Sequence, residues 1–306
     1  MPALTAIVKR IDHILVRVDD PEPLFGLLSG LLELPVSWPM QNHGWYASGG
    51  VFVGNASLEI ARLGRARPRA AGSARLFGIA LEPCPLGVCL RELAARGIPH
   101  SLPVCFCGER PDGTRGVRWK NVLLGGLTGE AHARLLRASW WAEDSVAGRL
   151  LDPVGRMMAF GHWVRLTTSP TERHIVYLCE YGYEVEKGLS ARRAVLEEAG
   201  GGPLGLVGLA EVVLGATNPE RARQRWQNLL APLLPVERGL WQLHDGPGIR
   251  IVPHDEDTML SLVLRTRDLA RAEAWLRERR MLGGMTANQI SVDPVTVQGL
   301  DIRLMQ

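Results

Sequence analysis

The chain has 306 residues, 46% hydrophobic and 22% charged, with a formal net charge of +3 at pH 7. That length favours two domains around a sizeable core, and the intermixed basic and acidic residues exclude the clustered positive face that nucleic-acid binding requires. No run approaches the roughly 20 apolar residues that span a bilayer, and residues 1–10 lack the pattern of a signal peptide, so a cytoplasmic chain with no membrane partner is expected.

Residues 11–22 read IDHILVRVDDPE, an apolar strand followed by a helix start. Asp20 is the expected N-cap, and Pro21 takes the first helical position, where its missing N–H costs nothing. Leu24, Leu27, Leu28, Leu31 and Leu32 recur at helical spacing. Strands are predicted over 45–53, 58–63 and 76–81, and a helix over 86–96 stopped by Gly97. The cysteines are Cys84, Cys89, Cys105, Cys107 and Cys179. Their odd number argues against a disulfide framework, and Cys105-Phe106-Cys107 lacks the C-x-x-C spacing of structural zinc sites. Residues 128–173 predict a helical insertion containing Trp140, Trp141 and Trp163. Such aromatics cover a pocket, form a partner interface or extend the core. A strand follows over 174–181. Helix 184–198 and the glycines Gly200, Gly201 and Gly202 then mark a linker at 186–202.

Residues 209–220, LAEVVLGATNPE, align without a gap on residues 11–22. Asn218 and Pro219 repeat Asp20 and Pro21, and Trp226, Leu229, Leu230 and Leu233 repeat the leucine stripe. Strands follow over 239–243, 249–252 and 259–264, a helix over 269–280, then strands over 290–293 and 300–304. This internal repeat predicts an α+β fold of four β-α-β-β-β units in two modules, 1–185 with its insertion and 203–306.

Paired units with a histidine in the opening strand resemble the vicinal-oxygen-chelate superfamily of glyoxalase I, extradiol dioxygenases, methylmalonyl-CoA epimerase, fosfomycin-resistance enzymes and bleomycin-binding proteins. The resemblance is carried by Asp12-His13-Ile14-Leu15-Val16, by Leu58-Glu59-Ile60, and by Val292-Asp293-Pro294 with the closing Gly299-Leu300-Asp301-Ile302-Arg303-Leu304. It covers nearly the whole chain apart from the insertion. It implies that each module curls two units into an open cup of mixed sheet, with helices on the outer face.

The resemblance also implies a divalent metal in the cup. His13 matches the first-strand ligand, Glu59 the carboxylate late in the first unit, and Glu180 the final carboxylate, with Glu59 or Glu180 doubling as general base. A one-residue slip of register would turn Glu180 out of the cup. The second unit offers Gly78 where another histidine is expected. In the second module Glu211 stands at the His13 position, Arg250 falls near the Glu59 position, and Asp301 and Arg303 occupy the closing strand. An arginine there opposes a cation, so that module is expected to be structural or to form a metal-free pocket. One histidine and two carboxylates would suit Fe, Mn, Ni, Co or Zn. The implied function is a metal-dependent lyase, isomerase or dioxygenase acting on a small oxygenated metabolite. The alternatives are a metal-free, drug-sequestering binding protein and a metal-free acid–base enzyme in which Glu211 is the carboxylate of interest, as monomer or homodimer.

A histidine in an apolar strand also has a bland reading, a hydrogen-bonded core residue. His43, His100, His132, His162, His174, His244 and His254 show no metal-ligand spacing. Phosphate-loop, nucleophile-elbow and dinucleotide motifs are missing from the sequence.

Overall fold

A computed structural model describes residues 5–64, 74–110, 112–127, 146–169, 172–243 and 246–306. Trp140, Trp141, His132 and His244 lie outside the described residues, and only the backbone is described for 146–156.

The first half forms an eight-stranded sheet in the order β2-β3-β4-β1-β5-β8-β7-β6. Its first unit runs β1 (Val8–Arg17), α1 (Pro21–Gly26), β2 (Val36–Asn42), β3 (Tyr46–Phe52) and β4 (Ser57–Leu63). The second runs β5 (Arg75–Pro83), α2 (Leu86–Ala95), β6 (Val104–Glu109), β7 (Arg115–Leu124), α3 (Val146–Thr168) and β8 (Ile175–Tyr181). After α4 (Glu186–Glu198) a seven-stranded sheet follows, in the order β10-β11-β9-β12-β15-β14-β13. It is built from β9 (Leu206–Ala216), α5 (Pro219–Leu230), β10 (Leu240–Gln242) and β11 (Gly248–Pro253), then β12 (Thr258–Thr266), α6 (Leu269–Glu278), β13 (Leu282–Met285), β14 (Gln289–Val292) and β15 (Ile302–Met305).

Each sheet joins its two units through antiparallel first strands, β1 with β5 and β9 with β12. Each first strand then pairs in parallel with the last strand of its own unit. The repeat seen in the sequence is therefore a repeat of topology, and the α+β architecture of two mixed sheets is the one expected. The sequence reading passed over the β6–β7 hairpin, whose strands alternate weakly and carry many charges. The third unit has two strands after its helix among the described residues; Glu237 and Leu240 make only an isolated bridge there.

The predicted caps are formed. Asp20 accepts from the Glu22 amide at 3.4 Å and Asn218 from the Arg221 amide at 3.0 Å. Helix α1 is shorter than its leucine stripe, because the chain widens into a π-helical turn over Leu27–Leu31. The main core lies between the sheets and their helices: Leu24, Leu28, Cys89 and Leu93 in the first half, Trp226, Leu229 and Leu276 in the second. Burial of these side chains contributes about 1.5–3 kcal/mol each. Helix α3 belongs to the insertion, whose aromatics were expected to cover a pocket, form an interface or extend the core. Its Ala159, Trp163 and Leu166 pack on the opposite, concave face of the first sheet, against Leu102, Val104 and Phe106 and against Tyr177 and Cys179. Among the described residues, no helix is long and apolar enough to cross a membrane.

Candidate functional site

Strand alternation sends His13 and Leu15 of β1 to the concave face, and the parallel register sets Ser57 and Glu59 of β4 beside them. A register shift between Ile11 and His13 lets Asp12 reach the same side. Its Oδ2 lies 2.5 Å from His13 Nδ1 and also accepts from the Tyr181 hydroxyl at 2.8 Å. The other ring nitrogen, Nε2, is 2.7 Å from the Tyr177 hydroxyl and 3.2 Å from Glu59 Oε2. Glu59 Oε1 accepts from the Tyr46 hydroxyl at 2.5 Å. Asp12, His13 and Glu59 are each less than a tenth exposed.

Two carboxylates thus clamp one imidazole inside the sheet. Burial opposes charge on His13, but its hydrogen bonds to Asp12 and Glu59 outweigh that penalty and push its pKa up to about 10. Burial likewise raises both carboxyls, yet the bonds to His13 prevail and hold Asp12 and Glu59 below their usual range. Burial, with neighbouring carboxylates, lifts Tyr46, Tyr177 and Tyr181 well above the ordinary phenol value. The cluster at neutral pH is an imidazolium between two carboxylates, with the neutral Tyr46 and Tyr181 hydroxyls donating to the carboxylates and the Tyr177 hydroxyl accepting from the ring.

An aromatic wall surrounds it. Trp38 stands edge-on to His13 with centroids 6.0 Å apart and lies flat over Gly50, where any Cβ would come within 2.6 Å of the indole. Trp163 meets Tyr177 edge-on at 5.0 Å, and Phe106 stacks on Trp119 at 5.4 Å. Arg17 of β1 donates to the Thr168 and Ser169 carbonyls and holds the end of α3 at the cup.

Of the three expected ligands, His13 and Glu59 come together and Glu180 does not. Glu180 points to the opposite face, where one oxygen accepts from the Leu86 amide at the start of α2 (2.9 Å) and the other pairs with Lys120 (3.0 Å). Its neighbours Cys179 and Tyr181 face the cup instead. Gly78 carries no ligating side chain, and a Cβ there would press on Leu15 at 3.1 Å and Ile175 at 3.3 Å, so those neighbours would have to give way. The residue in register with His13 on β5 is Ala80. Among the described residues, no three histidine, cysteine, aspartate or glutamate side chains are grouped to hold a metal. The remaining donors do not suit a divalent ion either. Both nitrogens of His13 are committed to hydrogen bonds, so a metal would have to displace one of these partners.

In the second module Arg250 binds Glu211 through both arms, at 2.5 and 2.7 Å, and also pairs with Glu237. Arg303 pairs with its own neighbour Asp301. That sheet face is an ion-pair cluster. Elsewhere His43 stacks on Tyr46, His100 bonds the Ile98 carbonyl, His162 rides on α3, His174 is buried beside β8, and His254 bonds in a turn with Glu256. The sequence reading missed Asp12 and Tyr177 as partners of His13, and Tyr46 and Tyr181 as donors to Glu59 and Asp12. The Asp12-His13 doublet was the one available signal, but only the bulge turns both side chains to one face.

No family model matches the sequence, and no curated protein does. Solved structures do match. A hypothetical protein from Staphylococcus aureus superposes with a TM-score of 0.54 at 8% identity, covering 96% of this chain and 98% of that one. A Mn(II)-bound glyoxalase from Novosphingobium aromaticivorans gives 0.53 at 11% identity, covering 98% and 82%. Homoprotocatechuate 2,3-dioxygenase from Arthrobacter globiformis gives 0.53 at 12% identity, covering 100% and 81%. Identities this low speak to the fold: the chain has the fold of the vicinal-oxygen-chelate superfamily.

Proposed function

We propose that the first cup binds a small oxygenated metabolite and moves a proton on it with the Asp12–His13–Glu59 cluster, as a lyase- or isomerase-type enzyme that works without a resident metal. The observation that carries this reading is the double engagement of His13, with carboxylates on both nitrogens and a phenol on Nε2. Glu59 would take a proton from the substrate, His13 would give one to a substrate oxygen, and Asp12 would keep the ring oriented and charged. Tyr177, which accepts from the ring and keeps its own O–H proton, supplies a neutral donor for charge that develops on oxygen. The superfamily fold of the metal-bearing neighbours makes a divalent ion the rival expectation, and the donor set argues against it.

A second reading, a binding protein with no turnover, is favoured by the aromatic wall of Phe106, Trp119, Trp163 and Tyr177. Metal content of fresh protein by plasma mass spectrometry, after anaerobic supplementation with iron, manganese, nickel, cobalt and zinc, tests the metal-free reading. Substoichiometric metal, and a melting temperature indifferent to EDTA, are expected. Near-stoichiometric metal that disappears in His13→Ala would overturn it. Turnover of a small hydroxy- or oxo-acid that is lost in Glu59→Gln separates enzyme from binder.

A further inference from the structure

Cys105 and Cys107 lie on β6, the last strand of the first sheet, which is paired on one side only, with β7. Exposure alternates along this strand. Val104 and Phe106 turn inward and pack with Ala159 and Trp163 of α3, while Cys105, Cys107 and Glu109 stand exposed on the other face. The pairing slips between Phe106 and Cys107, so that Arg118 is an extra residue in β7. Such a bulge falls between the two thiols, where it re-aims side chains.

Free cysteine is among the most buried residue types, and where packing does not explain it, its reactivity does. Two other cysteines follow the rule. Cys89 is buried and donates to the Ile7 and Cys84 carbonyls at 3.2 and 3.0 Å, and burial pushes its thiol up to about 12. Cys179 is buried on the cup face. Cys105 and Cys107 instead offer two sulfurs to solvent from one face of a strand edge. Same-face positions two residues apart on a strand stand about 7 Å from each other. A disulfide needs Cβ atoms about 4 Å apart, so an extended strand does not close one. An ion held in line between two sulfurs spans about 4.5 Å, twice a metal–sulfur bond, and two thiols leaning together reach that span.

The geometry points to Cys105 and Cys107 as a two-sulfur site for a soft monovalent ion with a filled d shell, Cu(I). On binding, the two thiols release two protons, each sulfur donates an electron pair to copper, and no atom changes oxidation state. Thiolates select Cu(I), zinc and iron–sulfur clusters. Zinc and the clusters call for more ligands, and among the described residues no three His, Cys, Asp or Glu side chains are grouped. Cu(I) is satisfied by two sulfurs in line. Glu109 continues the exposed row but is a hard donor, and Lys120, in register with Cys105, is held by Glu180 at 3.0 Å. The site lies outside the cup and is independent of the function proposed for it.

The test titrates the full, reduced chain with Cu(I) under anaerobic conditions, in competition with a colorimetric Cu(I) chelator. Wild type should take up one Cu(I) per chain, and X-ray absorption should show two sulfur neighbours and no nitrogen or oxygen. Cys105→Ser and Cys107→Ser should each melt as wild type does, yet lose more than about a hundredfold in affinity, the upper end of what losing an outer partner of a ligand costs. Cys84→Ser should bind as wild type. Brief alkylation of the folded wild type should abolish uptake without any substitution. Unchanged affinity in either Cys105→Ser or Cys107→Ser overturns the assignment, as does uptake by the alkylated chain. Equal affinity for Zn(II), or one copper shared between two chains by native mass spectrometry, overturns the two-sulfur site within one strand.

Discussion

Replacing His13 by alanine removes the one cation from a buried pair of carboxylates. Wild-type contacts are short, 2.5 Å to Asp12 and 3.2 Å to Glu59, and all three side chains are nearly closed off from water. Removing one partner of such a buried cluster costs about 3–5 kcal/mol, because the charge left behind is uncompensated. The Tyr46 and Tyr181 hydroxyls still donate to the orphaned carboxylates, which places the loss near the lower end, about 3 kcal/mol. With a urea slope of about 3 kcal/mol/M, the unfolding midpoint at pH 7 should fall by about 1 M. The deficit also has a pH signature. In wild type the lowered carboxyls stabilise the fold above the usual carboxylate range, and that contribution is lost as pH falls through their depressed values. The raised His13 stabilises fully below its unfolded value of 6.5 and loses the contribution as pH climbs through about 10. In the variant the two carboxyls titrate upward and can become neutral. The gap between the two proteins should therefore be widest near pH 6–7 and shrink toward both pH 4 and pH 10. Urea titrations at these pH values decide the matter. A loss under about 1 kcal/mol at pH 7, or one that does not vary with pH, would refute the clamped-imidazolium description.

Further outcomes are expected elsewhere in the fold. Glu180→Gln should cost about 1 kcal/mol by weakening the Lys120 pair and the bond to the Leu86 amide, and should leave ligand affinity of the cup unchanged in calorimetry. Gly50→Ala places a methyl where the Trp38 indole lies. It should cost about 1–3 kcal/mol and alter the near-ultraviolet circular dichroism, which reads the Trp38 environment. Asn55 bonds both the amide and the carbonyl of Leu209, at 2.8 and 3.0 Å. Asn55→Ala should lower stability by about 2 kcal/mol in chemical denaturation, because it strands two backbone groups beside a buried leucine.

The sequence by itself determined the repeat. Two gap-free segments with matching helix caps, Asp20-Pro21 and Asn218-Pro219, and matching apolar stripes require that both halves solve the same packing problem. That constraint is local and periodic, so it can be read along the chain. It also marked His13 and Glu59, because each sits at a fixed place within a repeated strand. The tertiary structure alone decided what those residues touch. Glu180 and Cys179 are adjacent in the chain, and only the pairing register of β8 says which one enters the cup. Asp12 joins His13 because a bulge overrides strict alternation. Tyr177 reaches the imidazole and Tyr181 reaches Asp12 across the one intervening strand, β5, from more than 160 places away in the chain. The charge state of His13 depends on burial and on carboxylates brought in by different strands. These are properties of distances through space, and neither residue spacing nor composition encodes a distance through space until the sheet has closed.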